Sequence, residues 1–232
     1  TGASNVAIGH DALGENTTGA ANVAVGAGSL DANTTASNNT GVGFNALTAN
    51  TTGASNTSVG KSSSRSNTTG TQNSAFGFFA YASGTTGGQN VAVGFAALDA
   101  NTTASNNTAV GSSSLSTNTT GANGTAVGAN ALQANTTGAD NTGLGKGALA
   151  SNTTAAQNTA VGVRSMEDTT TGADNTAIGW GSLTENTTGA QNTALGRSAL
   201  AANTTASGNT GVGGNAGLSI TTGVQNTIVG QL

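Results

Sequence analysis

The sequence predicts an all-β fold, a parallel β-solenoid (β-roll) of 17-residue coils, on three observations. An Asn recurs at a fixed 17-residue step; the residues after it alternate like a short strand; and every charged residue falls in a few columns of the repeat. A period of this length, held without insertion, is the mark of an array in which each repeat stacks on the last.

The Asn stands at 5, 22, 39, 56, 73, 90 and 107, and again at 141, 158, 175, 192, 209 and 226, with Gly124 in the one place left over. Residues 1–232 therefore read as a single repeat domain of about 13.6 coils, starting at Asn5, Asn22, Asn39 and onward to Asn226. Counting from that Asn, the consensus is N-T-A-V-G-x-x-A-L-x-x-N-T-T-G-A-x. The chain opens at Thr1 in mid-motif without Met, which predicts a piece of a longer protein.

Position five is Gly in every copy, position four is always apolar, position eight is Ala or Ser, and position nine is usually Leu. Seventeen residues with so much Gly and an N-T-T triplet make poor helix, and apolar residues at four and nine are too sparse for a helical stripe. In a strand, side chains alternate, so positions two and four share one face while one, three and five share the other. Apolar restriction places position four inside, beside Leu at nine. The expected core is thus Val42, Leu47, Val93, Leu98, Val110, Leu115, Val127 and Leu132. The Asn/Ala/Gly face of positions one, three and five is flat and uncharged, and is expected to be a subunit interface, because one Val and one Leu make a thin core.

Positions six, seven, ten, eleven and seventeen hold all the charges and therefore mark solvated corners. With 6% charged residues, five Lys/Arg and a net charge of −4, the chain lacks the basic footprint that nucleic acid requires. It has no Cys, hence no disulfide or thiolate metal site. No apolar run approaches the roughly 18–20 residues of a membrane span.

The N-T-A-V-G unit followed by a small residue and Leu resembles the head repeats of YadA-like trimeric autotransporter adhesins. The longer form, N-T-A-V-G-x-x-A-L-x-x-N-T-T-G, is similar to repeats in the shafts of phage tail fibres. The resemblance covers the whole chain and implies a left-handed coil, a parallel homotrimer and an extracellular setting, on a virion tail fibre or a cell surface. The 17-residue period departs from the adhesin pattern.

Few residues carry chemistry. The lone His10 sits beside Asp11 in corner columns, too little for the convergent groups a catalytic pocket needs, so no enzyme activity and no cofactor are expected. Asp168 and Glu185 share a column one coil apart, with Glu167 adjacent; hard oxygen ligands at strand spacing make these three a weak calcium candidate, against two solvated acids eased by Arg164. Phe78, Phe79, Phe95, Phe44 and Trp180 fall at corners and are candidates for partner or glycan contact, set against packing between subunits. "KSSSRS" followed by "FGFFAY" reads as an underfilled coil beside an overfilled one, with Phe76 and Tyr81 in the two core columns. The N-T-T triplets match a glycosylation acceptor, but the repeat itself accounts for them.

Three functions follow. The first is the structural shaft of an extracellular fibre, holding a receptor-binding tip or presenting an adhesive surface as a homo-oligomer. The second is a filament assembling end to end, for which the apolar Ile220, Val224 and Ile228 near the last coil speak. The third is an ice-binding solenoid with a Thr-rich flat face, although only one rank of the adjacent Thr pair at thirteen and fourteen can face outward.

Overall fold

The computed structural model describes residues 2–231, and it is an all-β parallel β-solenoid of about 13 turns with a 17-residue repeat. Three-residue strands recur at positions two to four, from Val6–Ile8 through Thr108–Val110 and from Thr125–Val127 through Thr227–Val229. Within residues 6–110 and within residues 125–229, each strand pairs in parallel with the next in strict repeat register, as in Val23↔Thr40, Ala24↔Gly41 and Val25↔Val42. The chain forms two compact units, Thr1–Thr120 and Gly121–Leu232. Among the described residues there is no helix.

Strand alternation holds, but the coil is turned the other way from the expectation. Position three is the inward residue: Ala24, Ala75, Ala92, Ala109, Ala126 and Ala160 are all 0% exposed. Position four points out. Val42, Val93 and Val110 are half-exposed and Val127 is exposed, so these four are not core, whereas Leu47, Leu98, Leu115 and Leu132 are buried as expected. The Asn/Ala/Gly side, read as a subunit interface, is the interior.

The reason lies in the asparagines. Positions one and twelve both turn inward, and Asn22, Asn33, Asn39 and Asn50 have no exposed surface. Buried amides are tolerable only when bonded, and these are. Asn22 Nδ2 donates to the Ala36 carbonyl at 2.9 Å, and Asn33 Nδ2 donates to the same carbonyl at 3.1 Å. Asn22 Oδ1 accepts from the backbone N–H of Asn39 at 2.9 Å. Along position twelve, Asn33 donates to Asn16, Asn50 to Asn33 and Asn67 to Asn50, at 2.8–3.0 Å. Two amide ladders thus satisfy the turns that have no strand partner. With those ladders inside, the remaining space takes one Leu and small residues, and the Val column has no room there.

Close approach fixes the glycine column. Position five has φ between 125° and 141°, and a Cβ on Gly43 would come within 2.7 Å of the Gly60 carbonyl carbon in the next coil. Position three must be small for a related reason: a Cβ on Gly143 would lie 3.3 Å from Leu132 Cγ of the coil before.

The tight turns use left-handed backbone at positions seven, nine and seventeen. In one coil these are Asn45 (φ 54°), Leu47 (φ 53°) and Ser55 (φ 61°). An L-residue pays about 1–2 kcal/mol for that conformation, so the ladders and the buried Leu must hold it in place at every turn.

Candidate functional surfaces

Two surfaces emerge from this geometry. The first is the outward sheet face of positions two and four. Strand pairing stacks Thr40 on Thr57 and Val42 on Val59 in the first unit, and Thr159 on Thr176 and Val161 on Ile178 in the second. In the second unit the second position is Thr in all seven strands, and no charged residue occupies either column in the chain. Ile8, Phe76, Ile178 and Leu195 expose 60%, 41%, 40% and 45% of their surface there. Phe76, expected inside, belongs to this face; Tyr81 is inside as expected, 1% exposed.

The second surface is the corner of positions six, seven and ten. In the first unit it gathers four of the five aromatic candidates. The Phe78 ring lies 4.2 Å from Phe79 and 5.8 Å from Phe95, centroid to centroid. Lys61 Nζ stands 5.9 Å from the Phe44 ring and 5.7 Å from Phe78, and Arg65 lies 5.8 Å from Phe79. Each cation faces a ring quadrupole, a contact worth about 0.5–1 kcal/mol at an exposed site. Arg65 also opposes the rise that burial imposes on the Asp99 carboxyl. Trp180, the fifth candidate, lies in the second unit and is 53% exposed.

The calcium candidates do not converge. Glu167 turns its carboxylate to Arg164 Nε, three residues back, and that pairing raises the guanidinium's already high pKa. Among the described residues no group of three acids, His or Cys is placed to hold a metal ion. His10 Nδ1 lies 2.7 Å from Asp11 Oδ2, with both side chains mostly in solvent. The N-T-T asparagines are poor glycosylation acceptors, because amides such as Asn50 Nδ2 are buried and donate twice, to Asn33 and to Gly53. No helix is long and apolar enough to cross a membrane among the described residues.

Breaks in the position-twelve ladder went unread in the sequence. Gly84 and Thr169 interrupt it, leaving Asn67 Oδ1 and Asn152 Oδ1 without partners. The apolar residues near the last coil also have an internal use. Gly217 replaces the usual Leu, and Ile220 and Ile228 converge with Leu200 on the vacated space, where a Cβ on Gly217 would meet them at 2.8–3.5 Å. Val224 is 57% exposed.

No protein-family model matches the chain, and no curated protein is similar to it.

Proposed function

We propose that the protein is a structural shaft of an extracellular fibre, of the phage tail-fibre or trimeric-adhesin type, in which identical left-handed solenoids associate in parallel as a homotrimer through their Thr/Val faces. One observation carries this reading: a column restricted to Val, Ile, Leu or Phe in all fourteen copies points outward. A solvated face has no need of that restriction. An interface core, depleted in charge and enriched in apolar side chains, does. The interior of each coil is closed by its own amides, so nothing else requires the Val column. A role in holding a tip domain or presenting an adhesive surface asks for stiffness and length rather than for catalysis. Light scattering across a dilution series tests the assembly: three chains per particle is the expected mass, and a single chain with the β-signal intact overturns the reading.

The same face supports a second reading, ice binding. Thr at position two and an aliphatic residue at position four form two parallel outward ranks, from Thr125 and Val127 to Thr227 and Val229. That pairing is closer to an ordered ice-binding array than the adjacent Thr pair at thirteen and fourteen. Thermal hysteresis from a monomer would select it; none from a trimer would reject it. End-to-end assembly has less to support it, because two of the three residues that favoured it fill the last coil.

A further inference from the structure

The corner of the second unit carries two recesses with a common origin. Positions seven and ten stand side by side on the outer edge of each coil, and large residues there form a row of teeth. Gly147 and Ala150 leave one tooth out, between Asn130 and Gln133 on one side and Arg164 and Glu167 on the other, opening a recess of about 320 Å³. Gly181 leaves out a second, between Arg164 and Ser198 beside Trp180, with a recess of about 170 Å³. The absence of a side chain does not always make a recess. Gly28 stands in the same column, and there the Asn45 side chain lies over it. At Gly147 the only atom a Cβ would meet within 4 Å is Glu167 Oε1, at 3.6 Å.

The first recess has the volume of a small-molecule site at the lower end of the roughly 300–1,000 Å³ range. Its charge is positive: Lys146 and Arg164 line it, and its one acid, Glu167, is already paired with Arg164. Asn130 supplies an amide donor and acceptor. The second recess offers the indole of Trp180 with the hydroxyls of Thr184 and Ser198 and the carboxylate of Glu185, an acceptor for sugar hydroxyls that balances the charge of Arg164 there. Two coils separate Gly147 from Gly181, about 9.6 Å at the strand spacing, with the Arg164–Glu167 pair as the wall between them. Lys146 and Arg164 stand in columns six and seven of adjacent coils.

We propose that these paired recesses bind a short acidic oligosaccharide, its carboxylate set between Lys146 and Arg164 and a neighbouring sugar ring laid against Trp180. The net positive charge of the first recess alone selects an anion there, and the guanidinium gives it directed hydrogen bonds. The Asn130 amide, the hydroxyls and Glu185 suit sugar hydroxyls, and an exposed indole offers an apolar face with a polar edge. An acidic peptide would satisfy the cations but leave the indole and the amide without a comparable fit. The site extends the fibre reading by giving the shaft its own ligand, and rests on it only for an extracellular setting; it needs no oligomer, because it lies within one unit of one chain.

Trp180 is the only tryptophan, so its fluorescence reports the site directly. Titration with trigalacturonate is expected to give a saturable change, with galactotriose, triglutamate and acetate giving none at the same concentrations. Arg164→Gln should weaken the apparent affinity by about tenfold, the loss of one charge-assisted contact. Gly147→Asn should abolish it by filling the recess, and it keeps the backbone, since Asn45, Asn130 and Asn215 adopt φ of 54–60° in that column. No response to trigalacturonate, or an equal response to any of the three other probes, overturns the proposal, as does full affinity in Gly147→Asn with an unchanged circular dichroism spectrum. Light scattering on the same sample keeps the two readings apart: a monomer that binds defeats the shaft alone, and a trimer that does not bind defeats this site alone.

Discussion

The Tyr81 ring occupies the space in which Gly84 would otherwise carry a side chain; a Cβ added to Gly84 would overlap it. Tyr81 stands in the Leu column and Gly84 in the Asn column, so one large residue replaces two. Its hydroxyl donates to the Gly87 carbonyl at 2.9 Å, the bond that the missing amide would have made, and accepts from Asn90 Nδ2 at 3.3 Å. The coil before it is emptied to match, with Ser58 and Ser64 bonded to each other at 2.6 Å where the Leu side chain would lie.

Because the two residues share one volume, their substitutions should couple. Gly84→Asn alone should destabilise by about 1–3 kcal/mol through overpacking. Tyr81→Leu alone should cost about 2–4 kcal/mol through the void and the abandoned Gly87 carbonyl. The double variant restores the consensus pair and gives Asn67 Oδ1 a donor, so it should recover most of both losses. Urea unfolding of the four proteins measures the coupling; simple additivity would contradict the shared volume.

Tyr81 should also make stability fall at alkaline pH. Burial pushes its phenol up to about 12, against partial lowering by hydrogen bonds from Asn101 and Asn90. The folded chain therefore keeps a proton that the unfolded chain releases near its ordinary value of about 10. The stabilisation is fully present below pH ~10 and is lost progressively as pH rises towards ~12, by about 2–3 kcal/mol in total. Since Tyr81 is the only tyrosine, the phenolate absorbance follows it alone. Ionisation near the ordinary value in the folded protein would show that the ring is not enclosed.

Neighbouring residues on one strand should respond oppositely to charge. Ala92 is wholly enclosed, whereas its neighbour Val93 faces outward. Ala92→Asp buries an unpaired carboxylate and should cost about 3 kcal/mol or more, or unfold the coil. Val93→Asp should cost about 0.5 kcal/mol in the isolated chain. Thermal unfolding followed by circular dichroism compares them, and a reversed order would restore the Val column to the interior.

The repeat, its strands and its solvated corners were legible because charge and apolarity are restricted column by column. Inside and outside were not. Val110 looks like core and Asn107 like surface on any transfer scale, yet the bonds that enclose Asn107, such as its N–H to Asn90 Oδ1 at 3.0 Å, become visible only when coils stack. Left-handed backbone was half legible. Asn45, Asn130, Asn38 and Asn106 announce it at positions seven and seventeen, but Leu at position nine, as in Leu98 with φ 55°, carries no such signal. The recesses at Gly147 and Gly181 were hidden for another reason: a missing side chain at a corner matters only through what its neighbours leave open.

Association should depend on the outward Val column and on nothing in the corners. Val42 and Val59 are paired across adjacent strands, so Val42→Arg with Val59→Arg places two stacked charges in the proposed interface. Leaving them desolvated and unpaired, in every copy at once, should weaken self-association by about a hundredfold or more. Ser112→Arg with Gln72→Arg adds the same charge at exposed corners and should leave association within about threefold, the scale of a rim contact. Sedimentation at several concentrations and salt levels separates the two effects. Net charge alone, since two Arg reduce the chain's −4, would ease repulsion in both variants alike and would fade with salt, whereas desolvation at the Val face would persist. Equal weakening, or none in either variant, would remove the Thr/Val face as the contact between chains and leave it free for ice.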